Sequence, residues 1–186
     1  MALLKIIQHP NDTLRKTASV VDKQTIASSE FQQFLDNLLE TLENEYPLGA
    51  GLSANQVDQL WRVFVVNLEI ETGKFLKTFF INPKITAFSK DSDTDWEGCL
   101  SFADKDGSPD QWGLVRRATS ITVTAQNREG ETFTISANEF LSRLIQHETD
   151  HLNGVLFIDK VESGLLNTAE LEELIELEEE NGKLAG

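Results

Sequence analysis

The most chemically informative stretch of the chain is QHETDHLNG, residues 146–154, which contains two of the three histidines. His147 and His151 are four residues apart, so on an α-helix they lie one turn apart on the same face and can bind one metal ion. Glu148 directly follows the first histidine and would lie beside that ion as a base. In a chain with so few histidines, this pattern indicates a metal site rather than a chance pair of surface or core residues.

The helix that must position these groups is predicted over residues 137–152. Apolar residues precede the histidines at three- and four-residue steps, so the polar triplet stands on a face that is otherwise buried. Burying ionisable groups is costly unless something compensates, and a divalent cation does so. Ser136 and Glu139 form the signature of a capping box at the start of this helix, and Gly154 indicates its end.

A third ligand is required, because a catalytic transition-metal site normally has three protein ligands and one position for water or substrate. Cys99 is the best candidate, since a thiolate is a strong soft ligand and the neighbouring Gly98 allows close backbone approach. It is also the only cysteine of the chain, which excludes an internal disulfide. Without the histidine pair, Cys99 would more simply be read as a buried structural residue.

Length and charge limit the classes of function. The 186 residues suit a single domain with a substantial core, spanning residues 1–186. The formal net charge of −15 repels nucleic-acid phosphates and anionic lipids, so no DNA, generic RNA or membrane partner is expected. The N-terminus has neither a secretion or transit signal nor a membrane-spanning stretch, which predicts a cytoplasmic location.

Hydrophobic periodicity and turn residues predict the other elements. An N-terminal helix is expected over residues 29–46, ended by Pro47, and an acidic C-terminal helix over about 167–181, capped by Asn167. A polar acidic stretch at 90–95 connects the strands to Trp96. The predicted strands are 62–67, 78–83 with a continuation over 84–89 after a kink at Pro83, 120–125, 132–135 and 155–158.

Three motifs occur along the chain in the order found in the peptide deformylases, and the chain resembles that family over residues 4–159. The motifs are GAGLSANQ at residues 49–56, EGCLS at 97–101 and QHETDH at 146–151. The resemblance implies an α+β fold in which mostly antiparallel strands surround a central His-Glu-x-x-His helix, with an N-terminal and a C-terminal helix.

The resemblance also implies an activity. Peptide deformylases hydrolyse the N-terminal formyl group of formyl-Met nascent polypeptides and release formate. Glu148 would be the general base, and the side-chain amide of Gln56 and the backbone N–H of Leu100 would stabilise the oxyanion. The implied cofactor is Fe2+, although Zn2+, Ni2+ or Co2+ is accepted by such ligands. The implied metal ligands are Cys99, His147 and His151.

Substrate contacts follow from the same resemblance. Gly51 would pair with the extended substrate backbone by strand addition, next to Ala50, which is smaller than the usual aliphatic residue. Arg117 aligns with an arginine near the substrate groove, although a slip of one residue would exchange it with Arg116. Arg143 stands where many members have an apolar residue in the methionine pocket. We expect its stem to pack along the pocket wall while its guanidinium reaches solvent or an acid.

Two segments depart from common members of the family. The loop over residues 103–113 is longer and is a candidate substrate lid. The C-terminal helix is acidic, whereas some members have a basic terminal helix that is thought to dock on ribosomal RNA. Any proximity to the ribosome is therefore expected to be transient, and the protein is expected to be a monomer.

Two other functions stay open at this stage. A zinc peptidase of the His-Glu-x-x-His kind would need a third histidine or glutamate ligand downstream of the helix. No histidine follows His151, and Glu162 is the nearest later glutamate. A non-catalytic peptide-binding relative would keep the fold without the chemistry, but every residue assigned to the reaction is present.

Overall fold

The computed structural model describes residues 2–45, 49–104 and 108–184, and for residues 181–184 it describes the backbone only. The predicted end of the first helix at Tyr46 and Pro47 lies outside these ranges. The helices are α1 (Lys23–Ile26), α2 (Ser29–Asn44), α3 (Glu139–Leu152) and α4 (Thr168–Leu184). The strands are β1 (Gly51–Ser53), β2 (Val63–Glu71), β3 (Lys74–Phe88), β4 (Ser92–Glu97), β5 (Gly113–Ala118), β6 (Ser120–Gln126) and β7 (Thr132–Asn138).

Five strands form one antiparallel sheet in the order β1-β2-β3-β6-β7, and β4 pairs with β5 in a separate two-stranded sheet. The predicted kink in β3 is confirmed, since the register shifts between Ile81 and Lys84 and Asn82 has a φ of 52°. The Asn82 side chain stabilises this bend by accepting from the backbone N–H of Val21 and donating to its carbonyl, both at 2.8 Å. Antiparallel sheets together with separate helices confirm the α+β class.

The large sheet is buried on both faces at β2. Val63 and Val65 pack with α2, whereas Phe64 and Val66 pack with α3, because successive side chains of a strand point to opposite faces. All four side chains are fully buried. The unbroken apolar run in this strand is the result, and the sheet separates the N-terminal helix from the metal-site helix.

Helix α3 leaves β7 without a connecting loop. The prediction of a capping box from Ser136 and Glu139 is wrong, since Ser136 pairs with Thr122 inside the hairpin and the helix begins only at Glu139. Strand pairing therefore takes the residue that would have served as cap. The predicted stop at Gly154 is confirmed by its φ of 73° and by its N–H bond of 2.9 Å to the carbonyl of His151.

The predicted strand at 155–158 is also wrong. This segment forms a 3-10 turn, Phe157–Asp159, in which the Asp159 carboxylate accepts from the backbone N–H of Leu156 at 2.9 Å. Leu156 and Phe157 are buried with Cys99 in a third hydrophobic cluster. Their apolar character reflects packing beneath the metal site instead of pairing in a sheet.

No strand was predicted from the sequence at the positions of β1, β4 or β5. Strand β4 begins within the polar stretch at 90–95, and its first four side chains are exposed, so it shows no apolar alternation. The predicted acidic C-terminal helix is confirmed as α4, with a reciprocal cap in which Asn167 and Glu170 exchange two hydrogen bonds of 2.9 and 2.8 Å. Within the described ranges, no helix has the length and apolarity needed to cross a bilayer.

Candidate metal-dependent active site

The three candidate ligands converge although they come from two distant segments. His147 and His151 lie on α3, and Cys99 lies in the turn after β4. Their ligand atoms are all within 4.8 Å of one another, and the Cys99 Sγ is 3.3 Å from the His151 Nε2. All three residues are buried. A thiolate with two imidazoles is a donor set typical of catalytic transition-metal sites.

The second ring nitrogen of His147 is held by a carboxylate. Its Nδ1 lies 3.0 Å from Glu97 Oε2, which leaves Nε2 for a metal ion, as is usual for ligating histidines. Burial lowers the pKa of His147, but Cys99 and Glu97 outweigh burial and raise the pKa to about 10. The surroundings of this imidazole thus stabilise a positive charge, which a bound cation would supply in place of the proton.

Glu97 is the centre of a buried charge network. Its carboxylate accepts two bonds of 2.9 Å from Arg117 and one of 2.9 Å from Arg143. Burial raises its pKa, but Arg117 and His147 more than offset burial and hold the pKa far below its ordinary value. Glu97 therefore stays ionised and carries the negative charge that the two guanidiniums and the histidine require.

The two arginines of this network occupy different places. Arg117 does not line the cleft that opens beside Cys99 and His147. It is buried behind α3, where it also pairs with Asp150. Its position places Glu97 between its guanidinium and His147. Arg143 does line the cleft, and its guanidinium reaches acids rather than solvent, at 2.9 Å from Glu97 and 2.8 Å from Asp93.

Glu148 is buried between α3 and β1. Its Oε2 accepts a 2.6 Å hydrogen bond from the Ser53 hydroxyl, and burial raises its pKa although His147 and Ser53 act in the opposite direction. Gly51 is in close contact with this carboxylate, because a Cβ at that position would lie 2.7 Å from Glu148 Oε1. Only glycine leaves room there for the carboxylate in its present orientation.

Gln56 directs its amide nitrogen to the candidate metal ligands Cys99, His147 and His151. The Nε2 atom lies 3.4 Å from Cys99 Sγ and 3.2 Å from Ser101 Oγ, and Oε1 accepts from the backbone N–H of Ser53 at 2.9 Å. This second bond fixes which end of the amide faces the cluster. Leu100 lines the cleft directly after Cys99, and its side chain packs into the core beneath α2.

A cleft of about 250 Å³ opens beside these groups. Aromatic side chains form much of its wall, namely Trp96, Trp112 and Phe140. Trp112 belongs to the loop predicted as a lid, whose residues 105–107 lie outside the described ranges. Its indole N–H donates to Thr168 at 3.0 Å, and its backbone exchanges bonds of 2.8 and 2.9 Å with Leu166. This part of the loop is thus a wall of the cleft that is bonded to the start of α4 and to the segment before it.

Two contributors to the site, Glu97 and Ser53, carry no prediction from the sequence. Both lie inside the recognised motifs, and each makes its decisive contact with α3, about 50 and 95 residues away. The only signal for them in the sequence was that each is a polar residue within a motif. The identity of their partners depends on the tertiary fold.

Comparison with known proteins agrees with this geometry. The family model described as polypeptide deformylase matches residues 3–165. Peptide deformylase 2 of a Nostoc species is 39% identical, with 97% of this chain and 98% of that protein covered. Peptide deformylase 1 of Shewanella oneidensis is also 39% identical, with 86% of each chain covered.

Solved structures give the same result. A class I type b peptide deformylase from Acinetobacter baumannii superposes with a TM-score of 0.78 at 30% identity, covering 87% of this chain and 100% of that one. A probable peptide deformylase from a Synechococcus phage gives 0.72 at 36% identity, with 84% and 99% covered. The family, the fold and the hydrolase class are confirmed. This chain belongs to the polypeptide deformylase family, metal-dependent hydrolases that remove the formyl group from nascent peptides.

Proposed function

We propose that this enzyme hydrolyses formyl-methionyl peptides in the cleft beside Glu148. The observation that carries the proposal is the convergence of Glu148 and Gln56 on one buried cluster of a cysteine and two histidines. A base, an amide donor and a metal-binding set within one small cleft are the components that hydrolysis of an unactivated amide requires. Membership of the deformylase family supports the formamide as the bond that is cleaved.

We assign the metal position to Cys99, His147 and His151, and the native ion to Fe2+. The buried donor set, and the stabilisation of positive charge at His147, support a cation there. Bound at this position, a divalent cation polarises a carbonyl and lowers the pKa of water toward neutrality. Zn2+, Ni2+ or Co2+ also suits these donors, so a purified sample can carry any of them.

Residues of the chain handle the protons and the developing charge. Glu148 takes the proton of the attacking water and passes it to the leaving amine, and its burial, which raises its pKa, favours this exchange. The Gln56 amide nitrogen donates to the oxygen that becomes negative, and the backbone N–H of Leu100 is the second donor. The bond from Ser53 to Gln56 Oε1 keeps the donor nitrogen in place before substrate arrives.

We place the substrate backbone along β1. This strand is at the end of the five-stranded sheet, and Ala50 and Gly51 line the cleft, which supports binding by strand addition. The Acinetobacter baumannii enzyme has been solved with Met-Ala-Ser bound, at a TM-score of 0.76 to this chain. By that likeness, the first side chain of the substrate is a methionine. Arg143 contributes to the wall of the cleft, and Arg117 acts through Glu97.

The competing functions have less support. A zinc peptidase needs a third histidine or glutamate ligand after the helix, and Glu162, the nearest later glutamate, pairs with Arg116 at 2.9 Å on the protein surface instead of joining the cluster of Cys99, His147 and His151. All groups assigned to the reaction lie together, which argues against a non-catalytic relative.

We propose further that residues 1–186 act as one monomeric catalytic domain in the cytoplasm. The acidic α4 supports transient rather than helix-docked proximity to the ribosome.

The experiment is formate release from a formyl-Met peptide by protein loaded anaerobically with ferrous iron. The wild-type protein is expected to release formate, and the Glu148→Ala variant, with its metal content shown to be unchanged, is expected to lose almost all activity. Cleavage of an internal peptide bond without formate release would favour the zinc-peptidase alternative. The absence of any product from metal-loaded wild-type protein would refute the proposed function.

A further inference from the structure

The hydroxyl of Ser53 makes a close contact with the proposed base. Ser53 is the last residue of β1 and is fully buried, and its Oγ lies 2.6 Å from Glu148 Oε2. The same hydroxyl is 3.1 Å from the backbone carbonyl of Glu148. Since a serine has one hydrogen to donate, the shorter contact identifies the carboxylate as its principal acceptor, and the carbonyl is a second acceptor within reach.

This contact gives the two oxygens of Glu148 different surroundings. Ser53 occupies Oε2, while Oε1 fills the space beside Gly51, 2.7 Å from where a Cβ would lie. Gly51 lines the cleft on the strand proposed to bind the substrate backbone. Oε1, the oxygen that Ser53 does not bind, is therefore the one that lies against a residue of the cleft wall.

Ser53 also orients the oxyanion donor. Its backbone N–H donates to Gln56 Oε1 at 2.9 Å, and the opposite end of that amide, Nε2, faces Cys99 and Ser101. Reversal of the amide would place Oε1 against the thiolate and Nε2 against an N–H donor, so neither bond would form. One residue thus contacts both side chains that are proposed to act on the reacting formyl group.

We propose that Ser53 is a positioning residue that fixes the carboxylate of Glu148 through its hydroxyl and the amide of Gln56 through its backbone. The inference rests on the proposed function and adds to it a role for the Ser53 hydroxyl, which the proposed function does not include. The hydroxyl is the part that mutation can remove, because the backbone N–H persists in any variant except proline. Loss of the hydroxyl frees the carboxylate to rotate about its terminal bonds and leaves Oε2 without its donor.

The test compares Ser53→Ala with Ser53→Thr, which keeps the hydroxyl. For Ser53→Ala we expect kcat to fall about tenfold, the effect of one lost charge-assisted hydrogen bond, with KM unchanged to within about twofold. Ser53→Thr is expected to recover most of kcat. A crystal structure of Ser53→Ala is expected to show the Glu148 carboxylate rotated or in more than one orientation, with the metal content unchanged.

Ser142→Ala is the matched control. Ser142 is equally buried, and its hydroxyl donates to the backbone carbonyl of Ala118 at 2.9 Å and accepts from Gln146 at 3.1 Å, so its loss removes buried serine bonds without touching Glu148. It is expected to lower stability about as much as Ser53→Ala while leaving kcat near the wild-type value. If Ser53→Ala does not fold, Ser53→Cys replaces it, since a thiol has a similar shape but donates weakly.

The outcomes separate this inference from the function itself. Wild-type protein without formate release overturns the proposed function, and the orientation of Glu148 in crystals of Ser53→Ala still tests the positioning role. Active wild-type protein whose kcat is unchanged in Ser53→Ala overturns the positioning role alone. Equal loss of kcat in Ser53→Ala and Ser53→Thr, with both folded, also overturns it, because the hydroxyl would then not be the cause.

Discussion

At the scale of single residues, the site is held by side chains that each serve several neighbours. Glu97 binds Arg117, Arg143 and His147 at once, so the candidate ligand His147 is oriented by a carboxylate that two arginines keep ionised. Such a buried arrangement is stable only if every member is paired, because an unpaired buried charge is strongly destabilising. The orientation of His147 on α3 therefore depends on side chains from β4 and β5 as well as from α3 itself.

Gly51→Ala is predicted to impair the base directly. The added methyl would lie 2.7 Å from Glu148 Oε1, and Ser53 restrains the other oxygen, so the carboxylate must leave its present orientation. We expect kcat to fall about tenfold or more, together with a moderate loss of melting temperature because the methyl overpacks a buried site. Steady-state kinetics of formate release measure it. Gly164→Ala is the control, since its Cβ meets nothing within 4 Å, and equal activity of both variants would contradict the prediction.

At the scale of elements, β5 shows how strand alternation sorts two adjacent arginines. Arg117 points inward to Glu97, while Arg116 points outward to Glu162 on the surface. A slip of one residue in the alignment with the family would exchange the two arginines, yet their surroundings in the structure differ completely. Pairing of β5 with β4 fixes the register, with Arg117 opposite Asp93 and Arg116 opposite Thr94.

This alternation predicts unequal costs for the same substitution at adjacent positions. Arg117→Leu removes one of the two arginines that neutralise Glu97 and one partner of Asp150. Because a buried carboxylate then loses part of its countercharge, the free energy of unfolding is expected to fall by about 3 kcal/mol. Arg116→Leu removes a solvent-exposed pair and is expected to change stability little. Urea denaturation of both variants measures the difference, and similar losses would show that the inward pair is not the stronger one.

At the scale of the whole molecule, the metal site joins parts of the chain that are far apart in sequence. The thiolate comes from the turn after the small sheet, whereas both imidazoles come from the helix that packs on the large sheet. A cation bound to all three ligands links these parts in the folded state only. Metal binding is therefore expected to contribute to global stability as well as to the reaction.

Addition of Ni2+ or Zn2+ to metal-stripped protein is predicted to raise the melting temperature by about 5–10 °C at a free concentration far above the dissociation constant. Cys99→Ala should lose most of this increase, because two histidines alone bind weakly. Glu148→Ala should keep it, since Glu148 is not among the clustered ligands. Thermal unfolding followed by circular dichroism measures the shift, and an undiminished increase in Cys99→Ala would remove Cys99 from the ligand set.

Much of the fold was predictable because it depends on local patterns. The helical spacing of apolar residues predicts α2 and α3, and alternating β-branched residues bounded by turns predict β2, β3, β6 and β7. Strands β1, β4 and β5 were not predicted in this way. Strand β1 has three residues and β4 is mostly exposed and polar, so the pairing of these two is decided by distant partners rather than by their own composition.

The sequence by itself determined the chemical components of the site, because His147, Glu148 and His151 share a helix face by their spacing and Cys99 and Gln56 belong to recognisable motifs. The tertiary structure alone decided what surrounds these groups. Glu97 beneath His147, Ser53 on Glu148 and the burial of Arg117 behind α3 are contacts between segments that are distant along the chain. Periodicity reports which face of an element is buried, but the partner across that face is set by packing of the whole fold.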